Sequence, residues 1–102
     1  MRTQSTIRPS VALQLHEVPA CRRLDFDTPR GLFAYLYRRY GQQSWQCIAR
    51  NACSPHIDRT SLPSYTIPEY VVCYCDAAGD IKAATRIATS GFSEVPARSA
   101  LI

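Results

Sequence analysis

The stretch "DTPRGLFAYLYRRYG", Asp27 to Gly41, decides the fold class of this 102-residue chain. Thr28 is a favoured helix-capping residue, and Pro29 suits the first helical position because its φ is already fixed and its missing N–H is not needed there. Gly41 is the residue type that commonly ends a helix. These signals predict a helix over residues 29–40.

A helix over 29–40 would have two different faces, because successive side chains rotate by about 100°. Its apolar arc would hold Leu32, Phe33, Leu36, Tyr37 and Tyr40. Its opposite arc would hold Ala34, Tyr35, Arg38 and Arg39. The first arc is expected to pack on a sheet and the second to face solvent.

The segments on either side of this helix have the period of two that is typical of half-buried strands. Val11, Leu13 and Leu15 alternate with polar or small residues, and residues 22–26 can return as the second arm of a hairpin. After Gly41, residues 45–50 alternate in the same way and favour a strand, with a second short helix as the alternative.

The last third of the chain contains a second predicted hairpin. Residues 69–75 and 81–88 are rich in strand-forming types and are joined by "DAAGD", in which Gly79 can supply the positive φ of a turn. Between the strand after Gly41 and this hairpin, residues 51–68 carry three prolines and predict a long loop.

These elements predict a single α+β domain over residues 11–90, with an antiparallel sheet of four to five strands and one main helix packed on it. The alternative is a three-stranded sheet with two helices. Residues 1–10 and 91–102 lack periodicity and are expected to be tails.

The net charge of +4 is distributed unevenly along the chain. The first 51 residues hold eight Arg and three acidic residues, while the remaining 51 hold three Arg, one Lys and five acidic residues. The basic surface therefore belongs to the first half. The excess of Arg over Lys also fits a genomic codon bias, which would have no functional meaning.

Cys73 and Cys75 share one face of the predicted strand with Val71, while Tyr70 and Val72 share the other. Because free cysteine packs as a small apolar residue, the first of these faces is expected to belong to the core. The alternative is a zinc site, and the soft ligands available for it are Cys47, Cys53, His56, Cys73 and Cys75.

The sequence contains no phosphate-binding glycine loop, nucleophile elbow or zinc-protease motif. We therefore expect no catalytic residues, no cofactor and no enzymatic activity. It also contains no apolar run of about 18 residues and no secretory signal at "MRTQSTIRPS", so a cytoplasmic protein without membrane contact is expected. Arg2 and Arg8 leave a transit peptide as the alternative.

The outward arc of the predicted helix is the candidate binding surface, because Tyr, Trp and Arg dominate interaction hot spots. Its predicted contact residues are Arg30, Tyr35, Arg38, Arg39 and Trp45. The sequence thus predicts a small regulator or inhibitor, of the type found in phages and mobile elements, that binds an acidic or polar surface of a larger protein. The alternative is a nucleic-acid-binding module that adds Arg22, Arg23 and Arg50.

Overall fold

The computed structural model describes residues 12–18 and 21–89, and these residues form strands and loops without a helix. The strands are β1 (Leu13–Val18), β2 (Cys21–Phe26), β3 (Phe33–Arg39), β4 (Gln46–Ala49), β5 (His56–Asp58), β6 (Glu69–Cys75), β7 (Ile81–Ala84) and β8 (Ala88–Thr89).

The strands form two antiparallel sheets. The three-stranded sheet has the order β1-β2-β5, and the five-stranded sheet has the order β4-β3-β6-β7, with β8 also paired to β6. The chain therefore passes from one sheet to the other three times, and the long pairing of β3 with β6 joins segments that are distant in sequence.

Both sheets contribute to one hydrophobic core, so the fold is a β-sandwich. The three-stranded sheet supplies Leu24 and Phe26 from β2. The five-stranded sheet supplies Ala34 and Leu36 from β3 and Tyr70, Val72 and Tyr74 from β6.

The predicted helix over 29–40 is wrong, and with it both α+β architectures. Residues 33–39 form β3, in which Ala34, Leu36 and Arg38 are buried while the residues between them are half-buried or exposed. This alternation has the period of a strand, and the aromatic residues of the segment favour strands over helices. The two arcs predicted for a helix therefore do not match the buried and outer sides of β3.

The residues interpreted as a helix start form a tight turn. Leu32 N–H donates to the Pro29 carbonyl at 3.1 Å, and Gly31 has a φ of 82°. A positive φ at the third position of a four-residue turn is the signature of a type II turn, which also favours proline near its start. Pro29 and Gly31 therefore turn the chain into β3.

Three of the predicted elements are confirmed. β1 and β2 form the first hairpin, β6 and β7 form the second, and β4 lies within the strand predicted after Gly41. The second hairpin turns through Gly79, with a φ of 92°, and Gly79 N–H donates to the Asp76 carbonyl at 2.9 Å.

Two further expectations need correction. The segment 51–68 is not only a loop, because it contains β5, which pairs with β2. The face of β6 expected in the core is the outer one, since Tyr70, Val72 and Tyr74 are buried between the sheets while Val71 and Cys73 lie half-buried on the opposite side. Cys75, expected on the same face, is buried at 9% exposure. Three large side chains fill the core better than one valine and two cysteines.

The predicted tails at 1–10 and 91–102 lie outside the described residues. Within the part of the chain that the structure describes, there is no helix of the length and apolar character needed to cross a membrane.

Candidate functional site

The interior of the sandwich contains an ion pair between the two sheets. Arg38 on β3 is 6% exposed, and its Nη1 lies 3.1 and 3.0 Å from the two carboxylate oxygens of Asp58 on β5. Its Nη2 lies 3.5 Å from Oε1 of Gln46 on β4. Arg38 is thus bonded inside the molecule and does not face solvent.

Two further side chains complete this interior network around Asp58. The Tyr70 hydroxyl donates to Asp58 Oδ2 at 2.6 Å and accepts from Arg22 Nε at 2.6 Å. Arg22 Nη2 donates to the Thr60 carbonyl at 2.7 Å. The network therefore joins β2 and β5 of one sheet to β3 and β6 of the other.

The environment of the network sets its charge states. Burial alone would raise the pKa of Asp58, but the hydrogen bonds from Tyr70, Thr60 and Arg38 outweigh it and hold the pKa well below the usual range. Burial and the bond to the Asp58 carboxylate raise the pKa of Tyr70. Asp58 is thus ionised and Tyr70 is protonated at neutral pH.

The outer side of the five-stranded sheet carries a different set of side chains, which we call the aromatic face. Its members follow from strand parity and register, because residues paired across strands point to the same side of a sheet. They are Phe33, Tyr35 and Tyr37 on β3, Cys47 on β4, Val71, Cys73 and the buried Cys75 on β6, and Ile81 and Ala84 on β7.

The register of strand pairing fixes which side chains are neighbours on the aromatic face. Tyr35 lies opposite Cys73, and Tyr37 lies between Cys47 and Val71. Phe33 and Ile81 remain 38% and 63% exposed. Apolar side chains therefore extend across four strands on a side that faces away from the core.

Ion pairs close both ends of the aromatic face. At one end Arg39 donates from Nε to Glu69 Oε1 at 2.8 Å, and its guanidinium lies 4.3 Å from the centre of the Trp45 ring. At the other end Lys82 Nζ lies 3.6 Å from Asp76 Oδ2. The face is thus apolar along its length and balanced in charge at its ends.

A shallow pocket of about 290 Å³ opens beside Phe33 and Tyr35. Asn51 and the turn after β6, through Asp76 and Gly79, complete its lining. The aromatic face therefore has one concave corner at the end that carries Phe33.

The outer side of the three-stranded sheet provides a comparison within the same molecule. His16 Nε2 and Arg23 Nη2 both lie 3.0 Å from Asp25 Oδ2, and Gln14 is exposed in the same row as Asp25. We call this side the polar face, although Val18, Cys21 and Ile57 lie on it as well. Such a mixture with charged side chains is typical of an antiparallel sheet in contact with water. The aromatic face departs from that pattern.

The structure brings together three of the five predicted contact residues. Tyr35 and Arg39 lie on the outer side of β3, and Trp45 stacks on Arg39. Arg38 is internal, and Arg30 is exposed in the turn before β3.

The residues proposed for nucleic acid have separate environments. Arg22 belongs to the interior network, and Arg23 pairs with Asp25 on the polar face. Arg50 is exposed just after β4. These three side chains do not form one basic surface.

The soft ligands considered for zinc are also dispersed. His56 lies in the three-stranded sheet, whereas Cys47, Cys73 and Cys75 belong to the five-stranded sheet. Burial, together with the neighbouring thiols, raises the pKa of Cys73. Within residues 12–18 and 21–89, no three His, Cys, Asp or Glu side chains are grouped so as to hold a metal ion.

Sequence reasoning missed Phe33, Tyr37, Val71 and Ile81 as surface residues and Asp58 as the partner of Arg38. The alternation of aromatic residues in "FAYLY" was the available signal for the face. The Arg38–Asp58 contact spans 20 positions and has no local signal.

Comparisons with known proteins give a likeness of fold. No protein-family model matches the sequence, and no curated protein matches it significantly. The structure is similar to part of the crystal structure of pectate lyase PelI from Erwinia chrysanthemi in complex with tetragalacturonic acid, with a TM-score of 0.65 and 17% identity. The match covers 82% of this chain but 29% of the lyase chain, and at this identity it concerns the fold alone.

Proposed function

We propose that this chain is a small non-enzymatic binding protein that docks on another protein through its aromatic face and regulates or inhibits it. The observation that carries this proposal is the contrast between the two outer sides of the sandwich: one has an ion-paired polar cluster around Asp25, and the other presents Phe33, Tyr35 and Tyr37 along one strand. A sheet in contact only with water has no physical need for such a row.

The residue types of the aromatic face suit a protein interface. Tyrosine and tryptophan bury a large area at a low cost in conformational entropy, and they retain a polar group for hydrogen bonding. The half-buried Tyr35, Tyr37 and Trp45 lie beside Arg39, which is held by Glu69 before any partner arrives. A side chain that is already ordered loses less freedom on binding.

The charge balance of the face indicates the chemistry of the partner. Arg39 is paired with Glu69, and Lys82 is paired with Asp76, so neither cation is available as an unpaired anchor for a carboxylate. The complementary surface is therefore apolar and nearly uncharged. This proposal replaces the acidic or polar partner surface that the sequence alone predicts.

The size of the face favours a reversible contact with a different protein over a permanent dimer. A patch of nine residues across four strands projects an area of about 300 Å² at the usual strand rise and spacing. A stable complex buries about 800 Å² on each partner, and obligate dimers bury more. The face can thus form the centre of an interface, with surrounding loops as its rim.

The arrangement of the arginines favours a protein over nucleic acid. Arg22, Arg23 and Arg39 each contact a carboxylate, and phosphate binding would have to compete with these contacts. Acidic side chains also stand at both ends of the aromatic face, where they would repel a nucleic-acid backbone.

Capture from an extract of the organism that encodes the chain, treated with nuclease, tests this proposal. Replacing both Tyr35 and Tyr37 by Thr keeps strand propensity but removes two rings from the face. Bound partner should fall at least about tenfold, since hot-spot residues contribute about 2 kcal/mol or more each. The matched control replaces Gln14 and His16 by Thr on the polar face and should bind normally.

Equal binding by the aromatic-face variant and the control, with both variants folded, would remove the aromatic face as the docking site. Loss of the captured material on nuclease treatment would instead identify nucleic acid as the partner.

The five cysteines are all free. Free thiols persist in a reducing compartment. They support a cytoplasmic location, which we include in the proposal.

A further inference from the structure

The loop before β6 holds a tyrosine in a conformation that tyrosine rarely adopts. Thr66 N–H donates to the Pro63 carbonyl at 3.2 Å, which closes a four-residue turn around Ser64 and Tyr65. Tyr65 has a φ of 63°, and Ser64 is not among the residues with positive φ. A turn with positive φ only at its third position is type II.

Type II turns place glycine or asparagine at that position, because a side chain in the left-handed region is sterically disfavoured. Holding another residue type there costs on the order of 1 kcal/mol or more, and such residues cluster at functional sites. Within residues 12–18 and 21–89, a positive φ also occurs at Asn51, a tolerated type, and at three glycines. Tyr65 is the exception among the described residues.

Exposure makes this exception informative. The Tyr65 side chain is fully exposed, so the ring gives the fold no packing energy that would repay the strained backbone. Pro63 and Pro68 flank the segment, and proline limits the freedom of the loop before anything binds. The turn thus holds a large aromatic side chain outward on a restrained backbone.

We propose that Tyr65 is an anchor that inserts into an apolar pocket of a protein partner, with its hydroxyl bonded to an acceptor inside that pocket. Tyrosine is suited to this role because its ring buries a large area and its hydroxyl adds direction. The inference does not depend on the aromatic face, because Tyr65 lies on a loop and its exposure is independent of the five-stranded sheet.

Substitution by asparagine separates an anchoring role from a structural one. Asparagine accepts a positive φ more readily than tyrosine, so Tyr65→Asn should leave the melting temperature unchanged or raise it by up to about 5 °C. A fall in melting temperature would mean that the ring stabilises the fold, and it would overturn the proposal.

A photo-crosslinking amino acid, p-benzoylphenylalanine, at position 65 tests the contact itself. In an extract of the encoding organism it should yield one cross-linked species, whereas the same probe at the exposed Arg59 should yield none. Excess unlabelled wild-type protein should compete the product away, and excess Tyr65→Asn protein should compete at least about tenfold less well.

Equal competition by wild type and Tyr65→Asn, or no product at position 65, would refute the anchor. The Tyr35 and Tyr37 double variant, used as a third competitor, keeps the two proposals distinguishable. If it competes like wild type while Tyr65→Asn does not, the aromatic face fails and the anchor stands. The reverse result refutes the anchor alone.

Discussion

Asp58 is the residue on which the interior charge network depends. It accepts hydrogen bonds from Arg38 and Tyr70, and the backbone N–H of Thr60 donates to its Oδ1 at 3.1 Å. A buried ion pair is weak evidence of net stability, because desolvation offsets much of the attraction. Removing one partner is different, since the other charge then remains buried without compensation.

Asp58→Asn should therefore destabilise the protein by about 3–5 kcal/mol, measured by urea unfolding. Asn has nearly the same shape but no charge, so the loss reports the unpaired Arg38 guanidinium. Asp25→Asn is the matched control, because Asp25 pairs with Arg23 and His16 at the surface. Exposed pairs contribute less than about 1 kcal/mol. Equal losses for the two variants would contradict the role assigned to Asp58.

The lowered pKa of Asp58 also makes stability depend on pH with a defined sign. Because the folded pKa lies below the unfolded value of about 3.9, the stabilisation is complete above that value. It is lost as the pH falls toward the folded pKa. Unfolding free energies measured between about pH 5 and pH 3 should decrease more steeply for wild type than for Asp58→Asn. Parallel curves would show that another carboxylate carries the acid response.

Among the elements, β3 is the strand that the sequence describes least directly. Thr28 and Pro29 are signals for a helix start and also for a turn, and the apolar residues of 32–40 fit either period. Arg38 on the inner side of β3 breaks the strand pattern unless Asp58 is known to face it. What distinguishes a strand from a helix in this segment is thus the contact of Arg38 with Asp58, which lies far along the sequence.

The strand assignment of β3 predicts losses of very different size for substitutions at adjacent residues. Leu36 is 0% exposed, so Leu36→Ala should cost about 2–5 kcal/mol of unfolding free energy. Tyr35 lies on the outer side, and Tyr35→Thr should cost less than about 1 kcal/mol. Chemical denaturation of both variants measures the difference. A large loss for Tyr35→Thr would mean that this ring is covered in the folded chain.

The two hairpins could be predicted because their information is local. Period-two runs bracket each turn, and Gly79 supplies the positive φ that the second turn needs. β5 could not be predicted in this way, since its three residues gain their order from pairing with β2, more than 30 positions earlier. Tyr35, Arg39 and Trp45 are predicted contacts on the basis of residue type and a helical arc, whereas the face that they share depends on the β3 strand.

At the scale of the whole molecule, the sandwich places its charges and its apolar surface in separate regions. Arg23 is paired with Asp25 on the polar face and Arg39 with Glu69 at one end of the aromatic face, while Arg22 and Arg38 share the single carboxylate of Asp58 between the sheets. These contacts leave the net charge of +4 unchanged, but they reduce the number of Lys and Arg side chains available to a partner below the total of 12.

The response of binding to salt follows from this arrangement. A protein that binds by neutralising six or more phosphates loses about 10³-fold or more in affinity between about 50 and 200 mM salt. Docking through an apolar face closed by internal ion pairs releases few counterions, so the affinity of the isolated partner should change less than about threefold over that range. Arg39→Gln, titrated in parallel, serves as the control, and its salt response should match that of wild type because Arg39 is already paired with Glu69. A steep log-linear decrease for wild type would mean that exposed arginines such as Arg30 and Arg50 carry the interaction, and binding would then have to be assigned to a basic surface instead of the aromatic face.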